Sequence, residues 1–412
     1  MLRFWFSIPL WQRVIGALIL GVALGLFWGP EAEAIKWIGD FFIASIKMLV
    51  VPLIFFSLVS GVTSIGNLKK LGSVGGRALL FFLVTSQVAV WLGLLLGTVF
   101  APGVGLDQSR IKMGDIPEPK TEGWREMILS IVPQSPVQVM ADANVLPLIV
   151  FALLIGIGIL MAKEEGQPLI RIFDAGSIVM QKITIVVMEL TPFGVFALMA
   201  WVAGTFGVDA LFALAKLVAL NYAGCLILIG VVYVGILKFL AKVPVGDFFR
   251  GMIDALAVAY STASSSATLP VTLRCLQRNV GVSPSVSSFT ASLGATINMD
   301  GTAMYLGLAT VFGAQIFGVQ LDMVDYLMVA ITATLGSIGA AGIPGTGLIM
   351  MTLVFGTVGV PLETIAFVAG VDRLMDMMRT VTNVTSDSTV ATAVAASLDE
   401  LDREELVSHD DV

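Results

Sequence analysis

Long apolar segments recur along this 412-residue chain, and they constrain its fold more than any other feature. A helix needs about 20 apolar residues to cross a bilayer, and only helices or closed barrels satisfy their backbone hydrogen bonds within lipid. Hydrophobic residues make up 57% of the chain and charged residues 13%, against roughly 45–50% and 25% in soluble domains. We therefore expect an all-α polytopic membrane protein. Spanning segments lie near residues 10–29, 36–63, 77–101, 129–162, 168–202, 210–240, 284–313 and 361–396.

Two further apolar segments, near residues 247–278 and 321–355, are interrupted by small residues and proline. They contain "STASSSATLP" (261–270) and "TLGSIGAAGIPGTG" (334–347), and each precedes a span with an unusual polar cluster. Interrupted segments in corresponding positions are typical of secondary transporters with inverted repeats, whose substrates bind there. The pattern predicts two re-entrant hairpins and a binding site in the C-terminal half.

Basic residues are distributed unevenly between the predicted loops. With the N-terminus inside, one side receives Lys69, Lys70, Arg77 and most other loop cations, and the opposite side receives fewer. The positive-inside rule then predicts that both termini are cytoplasmic. The composition and the lack of long loops indicate a multi-pass protein of a prokaryotic inner membrane. The bilayer is thus one expected partner, and no nucleic-acid partner is expected.

Asp300 lies in "GATINMDGT" (294–302), within an apolar span and with no basic neighbour. A carboxylate at the bilayer centre costs roughly 2.5–3.5 kcal/mol, so a counter-charge is expected. Sodium prefers hard oxygen ligands, and the side chains of Asn298 and Asp300 offer them, together with carbonyls of a stretch that Gly294 and Gly301 allow to unwind. The alternative is an arginine partner from another helix. We favour a sodium site, because intramembrane carboxylates usually mark ion paths.

The last span carries a polar stripe. Its members recur every three or four residues and therefore share one helix face. An arginine is suited to bidentate carboxylate binding, and an aspartate one turn away can hold an ammonium group. An acidic amino acid has both groups, although an ion-pair ladder that merely holds helices together is the alternative. The stripe consists of Asp372, Asp376, Arg379, Asn383 and Asp387.

Hydroxyl side chains form two smaller groups. Ser264, Ser265 and Ser266 lie in the first interrupted segment, and Thr85 and Ser86 are adjacent in the third span. Small residues also let membrane helices pack closely, so the serines favour substrate contact only modestly. Thr85 and Ser86 become informative if their helix packs against Asp300.

Four motifs, in order, resemble the dicarboxylate/amino acid:cation symporter family, which contains excitatory amino acid transporters and archaeal aspartate transporters. They are "STASSSATLP", "GATINMDGTA", "GSIGAAGIPGTG" and "DMMRTVTNV", and "KMLVVPLIFFSLVSG" and "TPFGVFALMAWV" agree as well. The resemblance covers almost the entire chain. It implies a homotrimer with eight transmembrane helices and two hairpins per protomer, working as an elevator-type transporter.

The resemblance also implies a division into a static scaffold and a moving transport domain. Spans 1, 2, 4 and 5 would form the scaffold, and the remaining spans with both hairpins would form the transport domain. The implied parts are scaffold 1–76, transport domain 77–101, an extracellular loop 102–128, scaffold 129–209, transport domain 210–396 and an acidic cytoplasmic tail 397–412.

Site residues follow from the same resemblance. The implied substrate contacts are Ser265, Thr302, Asp376, Arg379, Thr380 and Asn383, with backbone groups around Ile343 and Gly347. The implied sodium ligands are Gly294, Asn298, Asn383 and Asp387 at one site, Thr296 with Ser337, Ile338 and Ala340 through carbonyls at a second, and Thr85, Ser86, Asn298 and Asp300 at a third. Sodium would be a co-transported ion, and no organic cofactor is expected.

The chain departs from the family pattern at an accessory arginine. Members usually carry it in the first hairpin, at the position of Ala263, or two residues before the substrate arginine, at Met377; here Arg373 appears instead. The resemblance implies that Asp376 favours an amino acid over a plain dicarboxylate. It likewise implies that Arg379 favours an acidic side chain.

Other functions fit the sequence less well. The only histidine is His409 in the acidic tail, and no GxSG motif is present, so an intramembrane protease lacks its catalytic groups. An ion channel needs a repeated filter or ring, which this asymmetric set does not provide. The expected function is sodium-coupled symport of aspartate or glutamate. Proton coupling, C4-dicarboxylates and small neutral amino acids are the alternatives.

Overall fold

The computed structural model describes residues 8–65, 73–105, 132–142, 145–339 and 342–407. Throughout these ranges the regular elements are helices, apart from one isolated bridge between Val282 and Leu401. This agrees with the predicted all-α fold. Ala340, His409 and most of the loop at 102–128 lie outside the described residues.

The first half of the chain forms long apolar helices. Its last helix continues into two π-helical stretches, Leu228–Tyr233 and Ile236–Ala241. Gly207 interrupts that helix with a φ of 70°, which agrees with a new span from 210, but the segment 168–202 is wrong as one helix, because one helix ends at Met188 and the next begins at Thr191. The segment 129–162 is wrong as one helix, because it divides in two. The helices are α1 Leu10–Trp28, α2 Lys36–Ile65, α3 Ser73–Phe100, α4 Pro136–Ala141, α5 Val145–Met161, α6 Gln167–Met188 and α7 Thr191–Ile227.

The second half consists of shorter helices and one long final helix. Hairpin 1 is formed by the first two of these helices, and hairpin 2 by the fifth and sixth. The helices are α8 Val245–Thr262, α9 Ser265–Arg278, α10 Pro284–Ile297, α11 Asp300–Phe317, α12 Met323–Gly339, α13 Thr346–Val358, α14 Thr364–Ala396 and α15 Arg403–Val407.

Local chemistry explains the two hairpin turns. In hairpin 1, Ala263 adopts a left-handed conformation, and the Ser264 hydroxyl accepts a hydrogen bond from the Ala267 amide as the N-cap of α9. In hairpin 2, Gly345 has a φ of 81°, a conformation that suits glycine, immediately before α13. In hairpin 1 the turn thus ends α8 and begins α9 within two residues, whereas in hairpin 2 Gly345 marks the start of α13.

Membrane-spanning character is concentrated in the first half. Among the described residues, three stretches are long and apolar enough to cross a bilayer: Leu10–Thr63, Val74–Phe100 and Thr191–Ala241. Pro147–Met161, Met323–Ser337 and Thr346–Val358 are shorter apolar helices. The predicted count of eight spans and the elevator movement remain predictions.

Helix α14 lies at the centre of the C-terminal half. It packs against α3, α7, both helices of hairpin 1, α10 and α11, and nearly all of its residues are buried. Close backbone approach supports this packing. A Cβ atom on Gly93 of α3 would lie 1.9 Å from the Met304 carbonyl oxygen of α11. The polar residues of α14 are thus enclosed by protein.

The last described residues fasten one end of the C-terminal half. Arg403 donates to the carbonyl oxygens of Lys242 and Ala241 at the end of the π-helical stretch. Ser283 and Ser285 donate to the Glu400 carboxylate, and these hydrogen bonds lower the pKa of Glu400 below its ordinary value.

Candidate substrate and cation site

The polar stripe of the last span is buried. Asp372, Asp376, Arg379, Asn383 and Asp387 each expose at most 6% of their surface. Buried charges are expensive unless they are paired and hydrogen-bonded, so the partners of each group decide what the site can do.

Arg379 has an incomplete set of partners. Its Nη2 atom lies 2.8 Å from Asp376 Oδ1 and 3.0 Å from Asp372 Oδ1. Its Cζ atom lies 3.7 Å from the centroid of the Tyr305 ring, a cation–π contact. The Nε and Nη1 atoms are buried and have no hydrogen-bond partner among the described residues. Two of its three nitrogens therefore keep N–H donors for ligand oxygens, on different edges of the guanidinium.

The two aspartates connect Arg379 to other elements. The Tyr305 hydroxyl of α11 donates to Asp372 Oδ1 at 2.7 Å. The Gly345 amide at the turn of hairpin 2 donates to Asp376 Oδ2 at 2.9 Å. The carboxylate that we expect to bind an ammonium group thus also anchors the turn of hairpin 2.

Asp300 is fully buried and accepts three hydroxyl hydrogen bonds. Ser86 of α3 donates to Oδ1 at 2.7 Å, while Tyr233 at 2.9 Å and Ser386 at 2.7 Å donate to Oδ2. Among the described residues, no arginine or lysine pairs with this carboxylate. The alternative of an arginine partner is therefore wrong for these residues.

Asn298 lies beside this carboxylate in the break between α10 and α11. Its Nδ2 atom donates to Ser386 Oγ at 2.9 Å and to Asp387 Oδ1 at 2.8 Å. Its Oδ1 atom is buried and has no hydrogen-bond partner within the described ranges. An amide oxygen and carboxylates, here Asp387 bonded to Asn298 and Asp300 joined to it through Ser386, are the ligand types that a small hard cation prefers.

The two glycines of this motif do not unwind the chain, which corrects the sequence interpretation. The non-helical residues are Asn298 and Met299, whereas Gly294 and Gly301 are helical. The glycines instead permit close contacts. A Cβ atom on Gly294 would lie 2.2 Å from Asp387 Oδ1, and one on Gly301 would lie 2.5 Å from the Arg379 carbonyl oxygen.

Several implied cation ligands are bonded to their own helices. Thr85 donates to Phe82 O, Thr296 to Leu293 O and Ser337 to Thr334 O. These bonds do not join Thr296 to Ser337. The side chain of Ile338 and the whole of Ala340 lie outside the described residues, so this second ligand set stays a prediction.

The implied substrate residues surround Arg379 from three elements. Asn383 Oδ1 accepts from the Gly301 amide at 2.8 Å, and a Cβ atom on Gly347 would lie 2.9 Å from Arg379 Nη1. Ile343 is buried, and its carbonyl oxygen accepts from Thr346 Oγ1. Three buried hydroxyls donate no side-chain hydrogen bond within the described part of the chain; they belong to Ser265, Thr302 and Thr380.

The turns of the two hairpins touch. Ser264 Oγ donates to the Gly342 carbonyl oxygen at 2.6 Å, and the Ser266 amide donates to the same oxygen at 3.0 Å. A Cβ atom on Gly342 would lie 2.6 Å from both Ala295 O and Ser266 Oγ. The hairpin turns therefore meet near the break after α10.

Three residues of this site were not identified from the sequence. Tyr305 and Ser386 lie within a few residues of Thr302 and Asp387, and this closeness was the available signal. Tyr233 lies in an apolar segment, and it occurs in a π-helical stretch, a feature that is frequent at functional sites.

Comparison with known proteins agrees with this geometry. The sodium:dicarboxylate symporter family matches residues 10–397. A proton/sodium-glutamate symport protein of Geobacillus stearothermophilus is 36% identical over 391 residues, covering 92% of each chain. A proton/glutamate-aspartate symporter of Escherichia coli (strain K12) is 35% identical, covering 97% of this chain and 95% of its own. A C4-dicarboxylate transport protein of Bacillus subtilis (strain 168) is also 35% identical, covering 95% and 94%.

The chain belongs to the sodium:dicarboxylate symporter family, which confirms the resemblance seen in the sequence. It is therefore a symporter, and the bacterial relatives make it a multi-pass protein of the inner membrane. Relatives named for glutamate and for C4-dicarboxylates are almost equally similar. Overall identity therefore does not select the substrate.

Proposed function

We propose that this protein is a sodium-coupled symporter of aspartate or glutamate. The observation that carries the proposal is the fully buried Arg379 guanidinium, which keeps two unpartnered donors while Asp372 and Asp376 balance its charge. A carboxylate of the substrate would accept from one of these donors and add a charge-assisted hydrogen bond to the ion pairs of Nη2.

Asp376 supports an amino acid rather than a plain dicarboxylate. Its carboxylate lies one helical turn from Arg379 and would attract the substrate ammonium. The second carboxylate of succinate or malate would instead approach Asp376 with like charge, which is costly in a buried site. The unengaged hydroxyls of Ser265, Thr302 and Thr380 would contact the remaining polar atoms of the substrate.

Asn298, Asp300 and Asp387 support sodium as the coupling ion. Two buried carboxylates beside an unpartnered amide oxygen need positive charge. Sodium would neutralise this group during transport, with Ser86 Oγ as a further oxygen ligand. The Thr85 hydroxyl also faces Asp300 and would be another ligand. Thr296 and the carbonyl groups of Ser337, Ile338 and Ala340 would form the second sodium site.

Hairpin 2 would couple the two ligands. Its turn is bonded to Asp376 through the Gly345 amide and to hairpin 1 through the Gly342 carbonyl. Substrate on Asp376 and sodium near Ser337 would both change the free energy of closing this hairpin, so closure would require both ligands. The closed transport domain, 77–101 with 210–396, would then move against the scaffold of a homotrimer.

Uptake into proteoliposomes tests this function. The purified protein is given radiolabelled aspartate, glutamate, succinate or serine under imposed sodium, potassium or proton gradients. We expect aspartate or glutamate uptake that requires external sodium. Equal uptake in choline and sodium buffers, driven by a proton gradient, would refute sodium coupling. Preference for succinate would refute the assignment of an acidic amino acid as substrate and favour the function named for the Bacillus subtilis relative.

A further inference from the structure

Arg373 is a second buried arginine that the proposed mechanism leaves unexplained. It exposes 8% of its surface. Its Nη2 atom donates to the Thr262 carbonyl oxygen at 3.2 Å, at the end of α8 in hairpin 1. Its Nε and Nη1 atoms are buried and have no hydrogen-bond partner among the described residues. Arg373 thus presents the same two unpartnered donors as Arg379.

The neighbouring aspartates already have other partners. Asp372 is bonded to Arg379 and Tyr305, and Asp376 is bonded to Arg379 and the Gly345 amide. No ion pair to Arg373 occurs within the part of the chain that the structure describes. A buried donor without a partner costs about 1–3 kcal/mol, and more when it is charged. A ligand anion would remove this penalty.

The two arginines face different hairpins. At 3.6 residues per turn, positions 373 and 379 lie about 60° to either side of Asp376 and about 9 Å apart along the axis of α14. Arg373 contacts the turn of hairpin 1 at Thr262. Arg379 contacts the start of α13 in hairpin 2, near Gly347. Asp376 lies between them, so a ligand bound to Asp376 has one guanidinium on each side.

We propose that Arg373 binds the α-carboxylate of the substrate, while Arg379 binds the side-chain carboxylate. This inference rests on the proposed function. The substrate ammonium and α-carboxylate are attached to the same carbon, so with the ammonium on Asp376 and the side-chain carboxylate on Arg379, the hairpin 1 side remains for the α-carboxylate. Ser265, which begins α9 three residues after Thr262, would share that carboxylate. Substrate binding would also hold the turn of hairpin 1 against α14 through Arg373.

A combined change of protein and ligand tests this assignment. The probes are aspartate, its α-carboxamide isoasparagine and its β-carboxamide asparagine, titrated calorimetrically into the full-length protein in saturating sodium. Arg373→Gln should weaken aspartate binding about 30-fold or more, the lower range for breaking a buried charge pair. Isoasparagine lacks the α-carboxylate, so Arg373→Gln should change its affinity by no more than about twofold, the usual deviation when two changes act independently. Asparagine keeps the α-carboxylate, so its affinity should fall by the same factor as that of aspartate.

Arg403→Gln is the matched control, because Arg403 also donates to carbonyl oxygens at a helix end but lies away from the site. It should leave all three affinities unchanged. Arg373→Lys keeps a positive charge and should restore part of the aspartate affinity; if Arg373→Gln does not fold, Arg373→Lys replaces it in the same titrations. Equal weakening of aspartate and isoasparagine, or no weakening, would show that Arg373 only fastens hairpin 1. If the parent binds neither aspartate nor glutamate, the proposed function itself fails.

Discussion

Hairpin 1 and hairpin 2 are both hydrogen-bonded to α14 at their turns, but hairpin 1 provides an acceptor and hairpin 2 provides a donor. In hairpin 1 the Thr262 carbonyl accepts from Arg373, whereas in hairpin 2 the Gly345 amide donates to Asp376. Hairpin 1 also has internal support, because Ser264 caps α9. The turn of hairpin 2 contains Gly345 in a left-handed conformation and one internal side-chain bond, from Thr346 Oγ1 to the Ile343 carbonyl, and it is bonded to Asp376 and Ser264 of other elements.

This difference indicates which hairpin responds to ligands. The contacts of hairpin 2 involve Asp376, Arg379 through Gly347, and hairpin 1 through Gly342. The first two are proposed substrate residues, so a bound substrate changes the surroundings of hairpin 2 directly. Hairpin 1, held by its own N-cap, is expected to move less. The following predictions test this contrast, from the largest effect to the smallest.

Arg379→Thr should have the largest effect. Losing one partner of a buried charge pair costs about 2–5 kcal/mol, or roughly 30-fold to several thousand-fold in affinity. Aspartate and glutamate binding should be lost by calorimetry in saturating sodium. Serine or alanine binding should remain or appear, since Asp376 and Asn383 can still recognise the amino acid backbone.

The same variant should uncouple hairpin 2 from acidic substrates. Spin labels at Thr346 and in hairpin 1 should report closure with aspartate and sodium together in the parent, and no closure with aspartate in Arg379→Thr. Binding of aspartate by the variant within a few-fold of the parent would contradict the assignment. Closure of the parent with substrate alone would contradict ligand coupling.

Asp300→Asn should weaken the binding of sodium rather than the binding of substrate. The change keeps the shape of the side chain but removes the charge that Ser86, Tyr233 and Ser386 surround. We expect a loss of roughly 30-fold or more in apparent sodium affinity, the lower range for removing one partner of a buried charge pair. Aspartate affinity at saturating sodium should change far less. Sodium-dependent binding measured over a range of sodium concentrations checks both values.

The control for this charge removal is Asp254→Asn. Asp254 forms an exposed ion pair with Arg274 at 2.6 Å, and such pairs contribute little. Sodium affinity should be unchanged in this variant. Asp300 contacts neither hairpin among the bonds described, so a sodium effect on the labels at Thr346 would show that the ion acts on hairpin 2 through intervening residues.

Gly347→Ala should moderately weaken the binding of acidic substrates. An added Cβ atom would lie 2.9 Å from Arg379 Nη1 and 3.0 Å from Tyr305 Cε1, so the guanidinium must shift away from hairpin 2. Overpacking costs about 1 kcal/mol or more, which is roughly fivefold in affinity. Gly356→Ala, in the same helix with no atom within 4 Å of its added Cβ, should bind aspartate like the parent. Equal effects of the two changes would contradict direct contact with Arg379.

Much of the site was predictable because charged residues within apolar spans are costly and usually have a function. The buried stripe from Asp372 to Asp387 and the buried carboxylate of Asp300 follow from this rule. The roles of Gly294 and Gly301 did not, because glycine serves equally for backbone flexibility and for close contact. Only the distances to Asp387 and Arg379 distinguish the two uses.

Other features depend on geometry that a sequence does not contain. The hydroxyls of Thr85, Thr296 and Ser337 bond to carbonyls of their own helices, an alternative that is always open to serine and threonine. Tyr233 contacts Asp300 from a π-helical stretch within an apolar segment. A tyrosine there is equally expected at a membrane interface. The hydrogen bond from Tyr233 to Asp300 depends on the packing of α11 and α14 beside it, which the sequence does not contain.

Ser264→Ala should give the smallest of these effects and probes the contact between the hairpins. The change removes the N-cap of α9, worth about 1 kcal/mol, and the bond to the Gly342 carbonyl, although the Ser266 amide still donates to that oxygen. Labels at Thr346 should show hairpin 2 open roughly fivefold more often, with aspartate affinity changed less. Ser261→Ala removes an exposed hydroxyl that bonds to Val258 O within α8 and should leave the labels unchanged. If both serine variants shift the labels equally, the hairpins are coupled by general packing rather than by the bond from Ser264 to Gly342.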